Sequence, residues 1–200
     1  MEFSFDTIKS PVENILLKEK GSKFIGFVFP VANEKEIKAA LAKVKDEHPK
    51  ATHHCYAFRL GINGENYRAN DDGEPSNSAG MPIYGQILSF EITNILIVVV
   101  RYFGGIKLGV GGLMSAYKTT AQLTLEASKI VEKTINTNYQ ITFDYKNMNT
   151  VMRILKEKNL EITHHKLALH CAIYISVRKK DASSIFEIFN HLFEIDITEI

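Results

Sequence analysis

The segment most able to do chemistry runs from Arg101 to Gly112 and reads Arg-Tyr-Phe-Gly-Gly-Ile-Lys-Leu-Gly-Val-Gly-Gly. Glycine adopts positive φ without steric cost and lets a ligand or a second backbone approach closely. Gly104, Gly105, Gly109, Gly111 and Gly112 stand here between a strongly apolar stretch and an amphipathic one. A helix beginning at Leu113 leaves its first N–H groups unpaired and turns the positive end of its dipole toward the loop. Such a junction suits a phosphate or carboxylate, with Arg101 or Lys107 supplying charge. No Ser, Thr, Asp or Asn precedes Leu113 as a cap, so the N–H groups of Gly111 to Leu113 are expected to meet water or an anion. A tight strand-to-helix turn would also use glycines for packing alone. The segment is neither a P-loop, since no Gly-Lys-Ser/Thr ends it, nor a dinucleotide fingerprint, since its glycine spacing differs.

Other groups invite chemical readings. Asp71, Asp72 and Glu74 are close enough to hold a divalent cation or share a proton, although Gly73 and Pro75 equally mark a solvated turn. His53 and Cys55 share one face of a strand, with His54 on the other. An imidazole and a thiol two residues apart make no triad unaided, and zinc would need further ligands. His164, His165, His170 and Cys171 are dense in sequence but split by strand alternation. Lys166, Arg178, Lys179 and Lys180, with Phe143, Tyr145 and Tyr174 on neighbouring strands, could form a basic and aromatic sheet face for RNA. No RNP-type motif is present, and such aromatics also build cores.

The elements that must position these groups follow from patterning. Strands are expected at 13–20 and 23–31, joined by a turn at Gly21-Ser22. Asn33 and Glu36 form a capping box for a helix whose inner face is Ile37, Leu41 and Val44. A hairpin follows at 52–60 and 65–69, then a short helix over 82–89. Residues 94–103 read as a strand apolar on both faces, and 113–129 as a helix burying Ala116, Tyr117, Thr120, Leu123 and Ala127. The last third has the order βαββαβ: strand 139–145, helix 147–159, strands 161–168 and 169–178, helix 181–193 capped by Asp181, and strand 194–200. That is a ferredoxin-like unit. The polar run Thr134 to Asn138 sets the expected boundary, giving domains 1–136 and 137–200.

The bulk properties narrow the classes. Formal net charge is +1. The first 136 residues hold sixteen basic and fifteen acidic side chains, and the remainder eight of each. Neither part is a basic module overall, which leaves only a local patch for nucleic acid. Two distant cysteines, Cys55 and Cys171, indicate no disulfide framework. The first ten residues lack the pattern of a signal peptide. The longest apolar run, Ile95 to Val100, is about a third of the ~20 residues that span a bilayer. A cytoplasmic location is expected, with no membrane, metal or cofactor.

Five ordered segments together resemble the Impact/YigZ family. They are Lys20-Gly21-Ser22-Lys23-Phe24-Ile25, Ala51 to Ala57, Asp71-Asp72-Gly73-Glu74-Pro75-Ser76, Ala79-Gly80-Met81-Pro82-Ile83, and Arg101 to Gly109 with Gly111-Gly112-Leu113. Asn77-Ser78 departs from the Gly-Thr expected there. The resemblance implies an α/β (α+β) protein. Its first domain has the ribosomal protein S-five domain-two-like fold and its second is ferredoxin-like, and the pair is akin to the last two domains of elongation factor G. It also implies a role in translation. Eukaryotic Impact proteins reach a starvation-kinase partner through an added RWD domain that these 200 residues do not accommodate, so that partner is not expected here. No catalytic residue carries over. Because the acidic turn and the glycine loop are both signature segments, a shared site is expected, walled by His53, Cys55 and Arg59. The leading expectation is binding of RNA, the ribosome or a translation factor. The alternative is a small enzyme or binding protein for a phosphate-bearing metabolite.

Overall fold

A computed structural model describes residues 3–200; Met1 and Glu2, part of the segment read as lacking an export signal, lie outside it. The chain divides into two compact units, Phe5–Lys133 and Thr134–Ile200, the second joined by residues 3 and 4.

The first unit is built on an antiparallel five-stranded sheet. Its strands are β2 (Val12–Glu19), β3 (Ser22–Pro30), β4 (His53–Leu60), β5 (Asn66–Asn70) and β6 (Ile95–Tyr102), in the order β2-β3-β6-β4-β5. β6 is central, and Ile95 to Arg101 are all buried. Its side chains alternate between two cores. Ile95, Ile97 and Val99 enter a core with α2 (Gly80–Ser89) and α3 (Val110–Glu126). Leu96, Val98 and Val100 enter another with α1 (Glu34–Glu47). Coverage on both faces is why the strand is apolar at every position from Ile95 to Val100.

The α1 terminus follows its sequence signature. Asn33 Oδ1 accepts from the Glu36 N–H at 3.0 Å, and the Glu36 carboxylate reaches back to the Ala32 N–H at 2.8 Å. The helix ends at Glu47, before Pro49. On α3 the buried face differs from expectation: Ala121, Thr124 and Leu125 are inside, while Leu123 and Ala127 are exposed. Thr120 and Thr124 satisfy their hydroxyls on the carbonyls four residues back, each at 2.7 Å. Thr124 then fills the space beside Gly26, where an added Cβ would meet its Oγ1 at 2.0 Å.

Two strands carried no local signal: β1 (Ser4–Ile8) and β7 (Ile130–Thr134), which pair as a separate two-stranded sheet. The second unit contains β8 (Asn136–Asp144), a 3-10 turn at Tyr145–Asn147, α4 (Met148–Glu157), β9 (Glu161–Lys166), β10 (His170–Arg178), α5 (Lys179–Asn190) and β11 (Ile195–Glu199). Its antiparallel sheet has the order β11-β8-β10-β9. Val151, Ile154 and Leu155 of α4 and Ile185 and Phe189 of α5 pack on its inner face. The polar run Thr134 to Asn138 is strand on both sides of Ile135 rather than a turn-rich linker. Asp181 does not cap α5: the strand passes straight into the helix at Arg178, leaving Asp181 in the first turn, where its charge complements the dipole. Among the described residues no helix is long and apolar enough to cross a membrane.

Candidate functional site

β6 delivers Arg101 to the α3 side of the sheet, where only 7% of its side chain is exposed. Its Nη1 donates to Glu74 Oε1 at 2.6 Å. The Tyr117 hydroxyl, from α3, donates to the same oxygen at 2.8 Å. The guanidinium lies between the rings of Phe24 and Phe103, 5.5 and 5.7 Å from their centroids, a placement favourable for a cation. Cys55 Sγ is 3.0 Å from the Asp71 carbonyl oxygen and 3.3 Å from the Tyr117 hydroxyl oxygen. His53 Nδ1 is 2.7 Å from the Asp72 carbonyl oxygen, and its Nε2 stands 3.9 Å from Glu74 Oε1. The acidic turn, the strand before the glycine loop and the long helix thus meet at one buried carboxylate.

The other two carboxylates of the turn hold backbone. Asp71 Oδ1 accepts from the N–H groups of Ala79 at 3.0 Å and Gly80 at 2.8 Å, and Oδ2 accepts from Asn77 at 2.9 Å. This supplies donors at the start of α2 with the acceptor they need. Asp72 Oδ2 accepts from the His54 N–H at 2.6 Å. Asn77, at the departure from the family pattern, sits at φ +61°. Asparagine tolerates that left-handed conformation better than most side chains, so the turn forms without glycine there. Among the described residues no group of three His, Cys, Asp or Glu is arranged to hold a metal.

Burial pushes the Cys55 thiol far above its ordinary range, and the neighbouring Glu74, Asp72 and Asp71 charges push the same way. Burial does the same to the Tyr117 hydroxyl, and the neighbouring Cys55 and Glu74 push it the same way. Both therefore stay protonated at neutral pH, and Cys55 is no thiolate nucleophile. Burial lowers His54, opposed by its contact with the His48 carbonyl.

The expected wall residues are not all brought together. Arg59 lies toward the opposite end of β4, with its guanidinium on the carbonyls of Ile92 and Asn63 at 3.2 Å each. Arg101 is engaged by Glu74, though its buried Nε has no partner. Lys107 is exposed and has no ion pair among the described residues. α3 starts at Val110, three residues earlier than the glycines suggest, so Gly111 and Gly112 are helical. The Leu113 N–H donates to Gly109 O at 3.0 Å and its side chain is buried, which removes it from the set of free donors. No side chain caps this helix start.

The five glycines serve different needs. A Cβ on Gly104 would strike the backbone of Gly21, whereas Gly105, Gly109 and Gly111 face open space. Gly105 alone among the loop's glycines has positive φ, +88°. Gly111 is thus not a strained position. We expect Gly111→Ala to raise stability by about 0.4–1 kcal/mol, because alanine fits the helix and orders the unfolded chain. A loss in denaturant melting would show that the helix start is packed against something.

In the second unit His170 Nδ1 bonds Asp144 Oδ1 at 2.6 Å, Cys171 points into the core, and His164 packs on Tyr174. Phe143, read as a sheet-face aromatic, is also in the core, as strand alternation requires. The residues that sequence reading passed over are Tyr117, noted only as an inward helix residue, and Ser22, whose Oγ accepts from the Gly104 N–H at 3.2 Å.

The molecule is a mixed α/β protein of two units, with its glycine loop locked to an acidic turn through a buried ion pair. The model of the Impact N-terminal domain matches residues 20–125. IMPACT family member YvyE of Bacillus subtilis (strain 168) is 33% identical over 186 residues, 92% of this chain and 85% of that protein. IMPACT family member YigZ of Escherichia coli (strain K12) is 35% identical over 138 residues, 68% of each. A crystal structure of a hypothetical protein superposes with a TM-score of 0.76 at 26% identity, covering 100% of this chain and 98% of that one. The chain belongs to the IMPACT family.

Proposed function

We propose that this protein binds RNA of the translation machinery through the end of the 5–133 unit that carries the glycine loop, and that it thereby takes part in translation regulation. The observation that carries the reading is the division of labour at that end. Apart from the Arg101 Nε, the polar groups below the loop are closed on one another, while the loop offers Lys107, half-exposed Phe103 and Ile106, and bare backbone at Gly105 and Gly109. The Lys20-Gly21 turn packs against Gly104 and brings further lysines to the same end. A surface of this kind positions phosphates on cations and backbone N–H groups, without an ionised nucleophile beneath. Family membership supports the translation setting. The βαββαβ order and strand order of the second unit support the ferredoxin-like reading of that domain.

The test is fluorescence anisotropy with a short single-stranded RNA across a salt series. Affinity should fall as salt rises. Lys107→Ala should weaken all sequences alike and flatten the salt slope by about one unit. RNA affinity that ignores salt would sink the reading. A second reading keeps one observation of its own, the uncapped start of α3 beside open glycines. There a small phosphorylated metabolite would bind one to one and raise the melting temperature, with about 2.7 kcal/mol of stabilisation at 100 times its Kd.

A further inference from the structure

The sheet face on the α1 side ends in a groove of about 420 Å³ lined by Gly21, Lys23, Ile25, His48, Tyr102 and Phe103. Its size falls within the roughly 300–1,000 Å³ of small-ligand sites. Its lining combines three aromatic rings with one aliphatic side chain, one cation and one residue without a side chain. His48 closes α1 as its C-cap, and its Nδ1 is 2.9 Å from the Tyr102 hydroxyl, which fixes the orientation of both rings. The His48 ring also packs on Phe27, 5.3 Å between centroids, so the wall is anchored to the core.

The strand register extends this groove. Lys18 of β2 is opposite Lys23 of β3, and Lys23 is opposite Tyr102 of β6. Residues directly opposite in a sheet project to the same face. Two exposed lysines therefore form a row that ends at an aromatic ring, and neither has an ion pair among the described residues. A row of cations leading to rings is the arrangement by which proteins hold single-stranded nucleic acid: phosphates track the charges and bases stack on the aromatic groups.

We infer that this groove is a nucleobase pocket, holding one unpaired base of an RNA strand against Tyr102 and His48 while the adjoining phosphates run over Lys23 and Lys18. The inference rests on the RNA reading above and gives that surface its selectivity for single strands, since a base within a duplex cannot leave its stack without cost. Ile25 and Phe103 add apolar surface to the lining, and Gly21 adds no side chain to fill it.

The test compares a short single-stranded oligoadenylate with a strand of the same length and charge whose sugars are abasic. Binding of each to the full chain is followed by anisotropy across a salt series. The base-bearing strand should bind roughly 5- to 150-fold more tightly, the range for one stacked base, with the same salt slope for both. In Tyr102→Leu, checked for folding by its melting curve, that advantage should disappear while the abasic strand binds as to the unaltered protein. Tyr102→Phe, which keeps the ring, should retain it. Equal affinity for the two strands would overturn the pocket and leave the RNA reading standing, as would an advantage that survives Tyr102→Leu. Failure of both strands to bind would overturn the RNA reading and the pocket with it.

Discussion

Arg101→Met should lower the stability of the protein by about 3–5 kcal/mol, the cost of leaving a buried charge without its partner. The Glu74 side chain is only 4% exposed, and its Oε1 would keep only the Tyr117 hydroxyl within hydrogen-bond distance, with His53 Nε2 at 3.9 Å. Melting followed by circular dichroism should record a drop on the order of 10 °C. Glu74→Gln should cost a similar amount, because the guanidinium is as deeply buried and its Nε already lacks a partner. The double variant Arg101→Met with Glu74→Leu should recover much of the loss, since apolar groups of similar volume replace buried ion pairs with little penalty. Single variants that lose less than about 1 kcal/mol would place the pair with weak surface bridges and remove it as the tie between turn, loop and helix.

Gly104→Ala should disrupt the contact between the glycine loop and the β2–β3 turn. A Cβ there would sit 1.9 Å from Gly21 C, 2.1 Å from Gly21 O and 2.2 Å from Ser22 N. All three are backbone atoms, which cannot rotate away as a side-chain end would. The reverse substitution fares no better, because Gly21 has φ +81° and its Cβ would meet Gly104 O at 2.8 Å. Overpacking typically costs about 1–3 kcal/mol, and a backbone clash lies at the upper end. Gly109→Ala, with nothing near its Cβ, is the control and should change stability far less. RNA binding should fall with Gly104→Ala even at temperatures where the chain stays folded, because the lysines of the turn separate from the loop. Equal stabilities for the two variants would contradict the close approach.

Much of the fold could be read from local pattern. The capping box, the β4–β5 hairpin and the uninterrupted apolar run of β6 each reflect forces acting over a few residues. The strands β1 and β7 could not be read this way. Four of the five residues of β7 are exposed, so no alternation marks it, and its partner is more than a hundred residues away. The structure starts α3 earlier than pattern suggests because Gly111 and Gly112 are poor helix formers, while burial of Leu108 and Leu113 in the same core overrides that weak preference. The acidic turn was legible as a cluster but not in its chemistry. Sequence reading offered Asp71 and Asp72 to a cation, whereas the folded chain uses them to hold backbone N–H groups that it would otherwise strand. Arg59 illustrates the converse: strand neighbours of the right type can stand at opposite ends of one element.

The strand order of the first sheet has a consequence for synthesis. β3 finds its second neighbour only when β6 appears, and about 65 residues separate Pro30 from its partner Ile95. At about 5–20 residues per second on the ribosome, the β2–β3 hairpin waits for roughly 3–13 s with the flank of β3 unpaired. The β4–β5 hairpin waits a shorter time for the same strand. Central β6 is thus the clasp that joins two earlier hairpins, and the nascent chain exposes two β edges until it arrives. Slowing elongation between β5 and β6 would lengthen that interval and favour edge-to-edge association of neighbouring nascent chains.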